Sequence, residues 1–231
     1  MVDDSPRAWV VSVSGGQIQR TCRFDRTCRV LRRSFGLRTG GFTVYECVWL
    51  TAGIDSGVAE VIRLIETVSV DEPFVGLPAK PTAEESTALQ AKLAAGIASG
   101  QTYVLTVRAA SGEVVACVAI NRPATANQRH IGELTTGAVH PDHRGGGVVT
   151  TAFREVVRHC EEIGIDVLRL DVRAGIRAER LWRSYGFAEY GRLDDYGRIG
   201  AESYSGVYLA QPVEQLKSRL FDKEVSRAQQ G

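Results

Sequence analysis

Between Val139 and Thr150 the chain leaves an apolar run, passes through His140-Pro141-Asp142-His143-Arg144-Gly145-Gly146-Gly147, and enters a second apolar run with helical spacing. The first backbone N–H groups of a helix have no partner within it. They lie at the positive end of the helix dipole, and glycines let an anion approach them closely. Arg144 adds a full positive charge on a planar fork. These residues suit a phosphate or diphosphate, and they equally suit a plain turn. The usual nucleotide motifs do not match: no Gly-Lys-Ser/Thr follows as in a P-loop, and Gly-Gly-Gly with Val149 behind it departs from the dinucleotide fingerprint. His130, His140, His143 and His159 do not combine with cysteines or acids at zinc-like spacing, so no metal is expected.

The elements that must position this turn follow from pattern. TVYECVW (43–49) is β-branched and aromatic and predicts a strand. Val58, Val61, Ile62 and Ile65 form one helical stripe, which Ser56 is placed to cap. Pro73, Pro78 and Pro81 mark 71–81 as loop. Thr82 and Glu85 have capping-box spacing before a helix with Leu89, Leu93 and Ile97, closed by Gly100. Residues 103–108 and 113–120 read as a hairpin across Ala109-Ala110-Ser111-Gly112, 121–129 as a polar loop, and 132–139 as the strand leading into the glycine turn. The helix after the turn is the clearest, with Val148, Val149, Ala152, Phe153, Val156, Val157, Cys160 and Ile163 in period and Gly164 behind them. A strand over 166–173 follows, then a stripe of Ala178, Leu181, Trp182 and Tyr185 stopped by Gly186, then strands near 187–193 and 202–210. Hairpins followed by strand–helix–strand predict one mixed α/β domain. The expected limits are an arginine-rich extension over 1–40, a domain over 41–212, and a charged tail over 213–231 that reads as a surface helix.

The run from Gly132 to Val148, GELTTGAVHPDHRGGGV, resembles the coenzyme A-binding signature of the GNAT N-acetyltransferase family, whose usual turn is Gln/Arg-x-x-Gly-x-Gly/Ala. Arg144, Gly145, Gly146, Gly147 and Val148 fit it, and Val149 replaces the small last residue. The later AERLWRSYGF (178–187) resembles the family's closing helix and Gly-Phe, and the order of elements from about 42 to 210 is similar. The resemblance implies a mixed, mainly antiparallel sheet with one parallel strand pair at the cofactor site, flanked by helices. It implies acetyl-CoA as cosubstrate. The backbone of Gly137, Ala138 and Val139 would pair with the pantetheine arm, and Arg144 to Thr150 (Gly145, Gly146, Gly147, Val148 and Val149 between them) would hold the pyrophosphate.

Glu133 stands eleven residues before Arg144, where the histone-acetylating branch carries its general base. An alkyl amine with a pKa near 10.4 is neutral in about one molecule per thousand at pH 7, so a carboxylate that takes its proton is useful. The other reading of Glu133 is a strand-edge acid or salt-bridge partner. Strand alternation would put Glu133, Thr135, Gly137 and Val139 on one face. The Val139 N–H is the natural donor to the carbonyl oxygen under attack. The family's frequent tyrosine, four residues before the Gly of Gly-Phe, is Trp182 here, and an asparagine often found before the closing helix is missing. Tyr185 is expected in the core with a polar tip. Tyr190 and Tyr196 are candidates to line the acceptor site, with 71–81 and 121–130 as its walls.

Leu168–Asp171, Arg173-Ala174-Gly175, Ala178-Glu179-Arg180-Leu181, Gly191 and Asp195-Tyr196 together resemble the small-molecule branch that includes tabtoxin-resistance acetyltransferases. The favoured acceptor is therefore a small-molecule amine. Protein N-termini or lysines, and an acyl-CoA-binding module without turnover, are the alternatives. The composition is that of a globular protein: 231 residues, 44% hydrophobic, 24% charged, net charge +1. No whole-molecule field draws it to nucleic acid, although Arg20, Arg23, Arg26, Arg29, Arg32, Arg33 and Arg38 leave open a basic arm. The apolar runs are too short for a membrane span. Five cysteines without a CxxC pair, and no secretory pattern at the start, predict a cytoplasmic protein with buried free thiols at Cys117 and Cys160. A homodimer stays open.

Overall fold

The computed structural model describes residues 10–14, 17–21, 32–34, 45–52, 55–71 and 80–228. Strands β1 (Val10–Ser14) and β2 (Gln17–Thr21) pair with each other as a separate antiparallel hairpin. Strand β3 (Arg32–Ser34) lies along β4 (Glu46–Trp49) at the edge of the main sheet. Apart from these three strands, the arginine-rich extension over 1–40, with Arg23, Arg26, Arg29 and Arg38, lies outside the described residues.

The main sheet continues through β5 (Thr102–Arg108), β6 (Val114–Asn121), β7 (Ile131–Val139), β8 (Val167–Arg173), β9 (Ala188–Ile199) and β10 (Glu202–Pro212). Its order is β3-β4-β5-β6-β7-β8-β10-β9. Every neighbouring pair is antiparallel except β7 and β8, which are parallel. This is the mixed sheet with one parallel pair that the resemblance implies.

Helices α1 (Asp55–Asp71) and α2 (Ala83–Ala98) pack on one face of the sheet, and α3 (Val148–Ile163) and α5 (Val213–Ala228) on the other. β6 is therefore buried on both faces along Val114–Ile120, which is why it reads as a continuous apolar run without alternation. The stripe Val58, Val61, Ile62 and Ile65 is buried as its spacing predicts. α1 begins at Asp55, so Ser56 sits inside the first turn rather than capping it. The capping box at α2 forms in full: the Glu85 N–H donates to Thr82 Oγ1 at 3.2 Å, and the Thr82 N–H donates to Glu85 Oε2 at 2.8 Å.

α3 buries Val148, Ala152, Phe153, Val156, Val157 and Cys160. Each large side chain among them contributes roughly 1.5–3 kcal/mol of apolar burial. Glu155 is buried among them with both oxygens paired. Trp49 Nε1 donates to Oε1 and Arg158 Nη1 to Oε2, each at 3.2 Å, so the charge is not left uncompensated. The helix stops at Gly164, whose φ of +71° suits glycine.

Two stretches differ from the sequence reading. β9 and β10 form a longer hairpin than expected, because Asp194, Asp195 and Gly197 carry no apolar period while the backbone ladder continues through them. The segment from 213, read as a charged tail forming a surface helix, is a helix, but its Val213, Leu216 and Leu220 enter the core against α3. Three buried positions among many charges gave too weak a stripe to detect. No helix among the described residues is long and apolar enough to cross a membrane.

Candidate functional site

The site opens where regular pairing ends. β7 and β8 pair only at Ile131–Val167, Gly132–Leu168 and Glu133–Arg169. On its other side β7 stays paired with β6, but Thr136 and Gly137 together oppose Val118, a β-bulge. Thr136 is held there at φ +54°, a region that β-branched residues rarely enter. Its carbonyl accepts a contact from Cys117 Sγ at 3.4 Å. A bulge bends its strand, so the end of β7 departs from β8 and a cleft of about 570 Å³ lies between them. Leu134 to Val139 form one wall and Leu170 to Val172 the other, with α4 (Arg177–Ser184) and the glycine turn at the far end.

The bulge also changes which residues share a face. Glu133 and Thr135 lie with Ala138 on the side of Asn121 and Cys117, whereas Val139 pairs with Ala116 on the side of Val118. The single face expected for Glu133, Thr135, Gly137 and Val139 is thus broken by one extra residue. Beyond the bulge, the His140 N–H donates to the Val115 carbonyl at 2.8 Å. Antiparallel pairs alternate between bonded and non-bonded, so the Val139 N–H and C=O turn away from β6 and toward the cleft. The Val139 carbonyl accordingly accepts from Arg144 Nε at 3.3 Å.

At the glycine turn, Gly145 and Gly147 have φ of +81° and +82°. A Cβ at Gly146 would stand 3.1 Å from Tyr45 Oη. Gly147 caps α3 with no side-chain hydrogen bond to the helix. The N–H groups of Val148, Val149 and Thr150 belong to the first turn and have no partner within the helix. Lys92, Arg144 and Arg177 line the same cleft. Glycine conformation, uncapped amides and positive charge together fit a diphosphate. Val149 lines the cleft without disturbing the packing of Val148, which is buried.

The remaining candidates fall in different places. Glu133 sits at the vertex where the two strands part and is outside the cleft lining. Arg169 Nη2 donates to its Oε2 at 3.2 Å, and the side chains are 36% (Glu133) and 39% (Arg169) exposed. Trp182 lines the cleft beside Gly137 and packs on Phe153 and Phe187. Tyr185 packs edge-on against Phe153, and its hydroxyl meets Thr150 Oγ1 at 2.7 Å, a ring in the core with a polar tip. Tyr190 is 59% exposed on β9, outside the lining. Tyr196 is also outside it, but its hydroxyl donates to Asp171, which is in the lining. Burial, the hydrogen bond to Asp171 and that carboxylate's charge push the Tyr196 phenol above its ordinary range.

Of the two expected acceptor walls, residues 72–79 lie outside the described residues. From 121–130 only Asn121 lines the cleft, while Arg122, Pro123, Ala124 and Arg129 line a separate pocket with Ser99–Gln101. Asn121 is part of a polar row that the sequence reading missed. Thr102 Oγ1 donates to Asn121 Oδ1 at 2.9 Å, and Asn121 Nδ2 donates to Thr135 Oγ1 at 3.0 Å. Glu179 was also missed as a positioning residue. It accepts from the Gly175 N–H at 2.6 Å and from Arg183 Nε at 2.8 Å, fixing the loop before α4. Asn121 gains its role from partners on other strands, which spacing does not show; the partners of Glu179 stand four residues to either side, so the Glu179–Arg183 spacing was its signal in the sequence.

Comparison with known proteins gives the family and the fold. Residues 67–187, more than half of the chain, match the model of the acetyltransferase (GNAT) family. No curated protein sequence matches the chain. Among similar solved structures is a GNAT-family acetyltransferase from Streptococcus pneumoniae, with a TM-score of 0.58 and 20% identity over 72% of this chain and 99% of the other. yncA from Salmonella typhimurium, solved with its cofactor acetyl-CoA, has a TM-score of 0.58 and 15% identity over 72% of this chain and 94% of the other. The ribosomal-protein-alanine N-acetyltransferase from Brucella melitensis has a TM-score of 0.57 and 20% identity over 71% of this chain and 98% of the other. At these identities the likeness shows the fold.

Proposed function

The chain belongs to the acetyltransferase (GNAT) family, enzymes that depend on acetyl-CoA, and we propose that it acetylates a primary amine on a small molecule by direct attack, with Glu133 as general base. The observation that carries this reading is the split between β7 and β8, which leads straight to the uncapped N-terminus of α3. The cleft volume of about 570 Å³ falls within the range of small-molecule sites, roughly 300–1,000 Å³.

Acetyl-CoA supplies the activated acyl group and a thiol leaving group. The chain's own residues do the rest. The N–H groups from Gly145 to Thr150 hold the diphosphate, and the exposed edge of Gly137 to Val139 aligns the arm. The Val139 N–H, turned toward the cleft, donates to the carbonyl oxygen as negative charge develops there. Arg169 occupies Glu133 Oε2, and Oε1 takes the proton of the incoming ammonium, directly or through one water. The freed nitrogen forms the C–N bond as the C–S bond breaks. The sulfur, whose thiol has a pKa near 8.5, leaves as the thiolate without a side-chain acid and then takes up the second proton of the nitrogen; Trp182, beside Gly137, has no acidic group to offer. The free thiols of Cys47, Cys117 and Cys160 suit the reducing cytoplasm, where we place the protein.

The test is thiol release from acetyl-CoA with a broad panel of amines, for the wild type and Glu133→Gln. Acetyl-CoA affinity is expected to persist in the variant while turnover falls by about 10²-fold or more. An unchanged rate on every accepted amine would remove Glu133 from the mechanism.

A further inference from the structure

Leu168, Leu170 and Val172 of β8 are buried in the core beneath α3, so alternation puts Arg169, Asp171 and Arg173 on the opposite face. Pairing carries that face across the sheet in two rows. Asp171 stands opposite Tyr208 and then Gly191, and Arg173 opposite Gly206 and then Leu193. The β9–β10 ladder is irregular between Tyr204 and Gly206, and there Tyr196 swings inward over Gly206, where a Cβ would run into its ring. Tyr196 packs edge-on against Tyr204 and Tyr208, with centroids 6.1 and 6.2 Å away, and its hydroxyl donates to Asp171 Oδ2.

The charges around Asp171 give this arrangement its meaning. Among the described residues that line the cleft, Asp171 is the only carboxylate, against Lys92, Arg144 and Arg177. Both arginines beside it on β8 are held elsewhere. Arg169 pairs with Glu133 at 3.2 Å, and Arg173 lies on the Tyr204 ring at 4.4 Å. A carboxylate in a cleft built for a diphosphate repels that ligand, so its complement is something else. An alkyl amine reaches the cleft almost wholly as its ammonium ion at neutral pH. Beside Asp171 the rows continue onto exposed apolar surface, with Leu193 47% and Tyr190 59% exposed.

We propose that Asp171, oriented through Oδ2 by Tyr196, seats the acceptor's ammonium group, and that the acceptor is a monocationic amine whose apolar or aromatic body lies on the tyrosine surface of β9 and β10. This rests on the amine-acetylating reading above and narrows its substrate class. Tyr196 is a positioning residue. Its phenol is held protonated as the donor, which leaves Asp171 Oδ1 for the ligand. Glu133, on the same face at the vertex of the split, receives the proton that Asp171 has brought into place.

The experiment compares wild type, Asp171→Asn and Tyr196→Phe, each checked by thermal unfolding. Acetyl-CoA affinity is measured by calorimetry, and thiol release with a phenylalkylamine as acceptor. Two inhibitors replace the amine on the same body: a dimethylammonium group, which keeps the charge and accepts no acetyl group, and a neutral alcohol. Wild type is expected to bind the dimethylammonium compound at least about tenfold more tightly than the alcohol, as a charged hydrogen-bonded pair implies. Asp171→Asn should bring that ratio close to one and raise KM for the amine about 10–100-fold, with acetyl-CoA affinity not reduced. Tyr196→Phe should lower the ratio part of the way. A ratio that survives Asp171→Asn overturns the proposal and leaves the acetyltransferase reading standing. Wild type that binds acetyl-CoA but acetylates no monocationic amine does the same. Failure of wild type to bind acetyl-CoA at all removes both.

Discussion

Gly147→Ala isolates the backbone conformation on which the proposed diphosphate site depends. Gly147 sits at φ +82° and ψ 0° immediately before α3. No atom lies within 4 Å of the position a Cβ would take, so crowding by neighbours contributes nothing. What remains is the preference of an L-residue against the left-handed region, about 1–2 kcal/mol. If the turn holds its shape, that amount is lost from the free energy of unfolding. If it relaxes, the first amides of α3 move off the ligand, and at about 1.4 kcal/mol per tenfold the acetyl-CoA Kd rises about 5–30-fold. Urea unfolding and calorimetric titration on the same preparation measure both, and their sum should come to about 1–2 kcal/mol. Gly147→Asn is the control, because asparagine enters this region more readily, and its loss should be less than about half as large. Gly146→Ala differs in kind: its φ is outside the left-handed region, its Cβ would meet the Tyr45 hydroxyl at 3.1 Å and the His143 carbonyl oxygen at 3.6 Å, and it should cost less than Gly147→Ala. The reasoning is refuted if Gly147→Ala leaves affinity and stability both untouched, or if Gly146→Ala proves the more damaging.

Three other outcomes are expected. Leu216→Ala should lower the unfolding free energy by about 2–5 kcal/mol, since Leu216 is fully buried against α3; a change near zero in urea unfolding would mean that α5 does not belong to the core. Glu179→Gln should cost about 1–3 kcal/mol at pH 7 by loss of its charged hydrogen bonds. The Gly175 N–H and then Arg183 hold this carboxyl below its ordinary 4.5, so its contribution is present above that pH and lost as pH falls through the lower folded value. The difference between wild type and variant, followed by unfolding from pH 7 to acid, should therefore shrink; a constant difference contradicts the assignment. Burial pushes the thiols of Cys47, Cys117 and Cys160 up to about 12. Only the thiolate reacts readily, so peptide mapping after alkylation at pH 8 should find these three unmodified until urea is added.

Local chemistry and period determined much of this protein. Gly-Gly-Gly after a strand and before an apolar stripe marks a helix start with free first-turn amides, because helix amides have no helical partner wherever a helix begins. The stripes of α1 and α3, the Thr82–Glu85 cap and the β5–β6 hairpin depend on neighbours a few residues apart, and all of them were legible. The helix of α5 was legible but its burial was not, because its three buried positions matter only where α3 stands beside them. The bulge at Thr136 was not legible either; no glycine stands at its left-handed residue, and it is imposed by pairing with β6. That one residue reverses the face of Val139 and opens the parallel strands into a cleft. Tertiary structure alone decided which carboxylate enters the cleft. Glu133 and Asp171 both stand within predicted strands in the sequence, and only the placing of Arg169, Tyr196 and Gly206 around them gives each its surroundings. Electrostatic roles come from groups distant in sequence and close in space, so spacing along the chain cannot supply them.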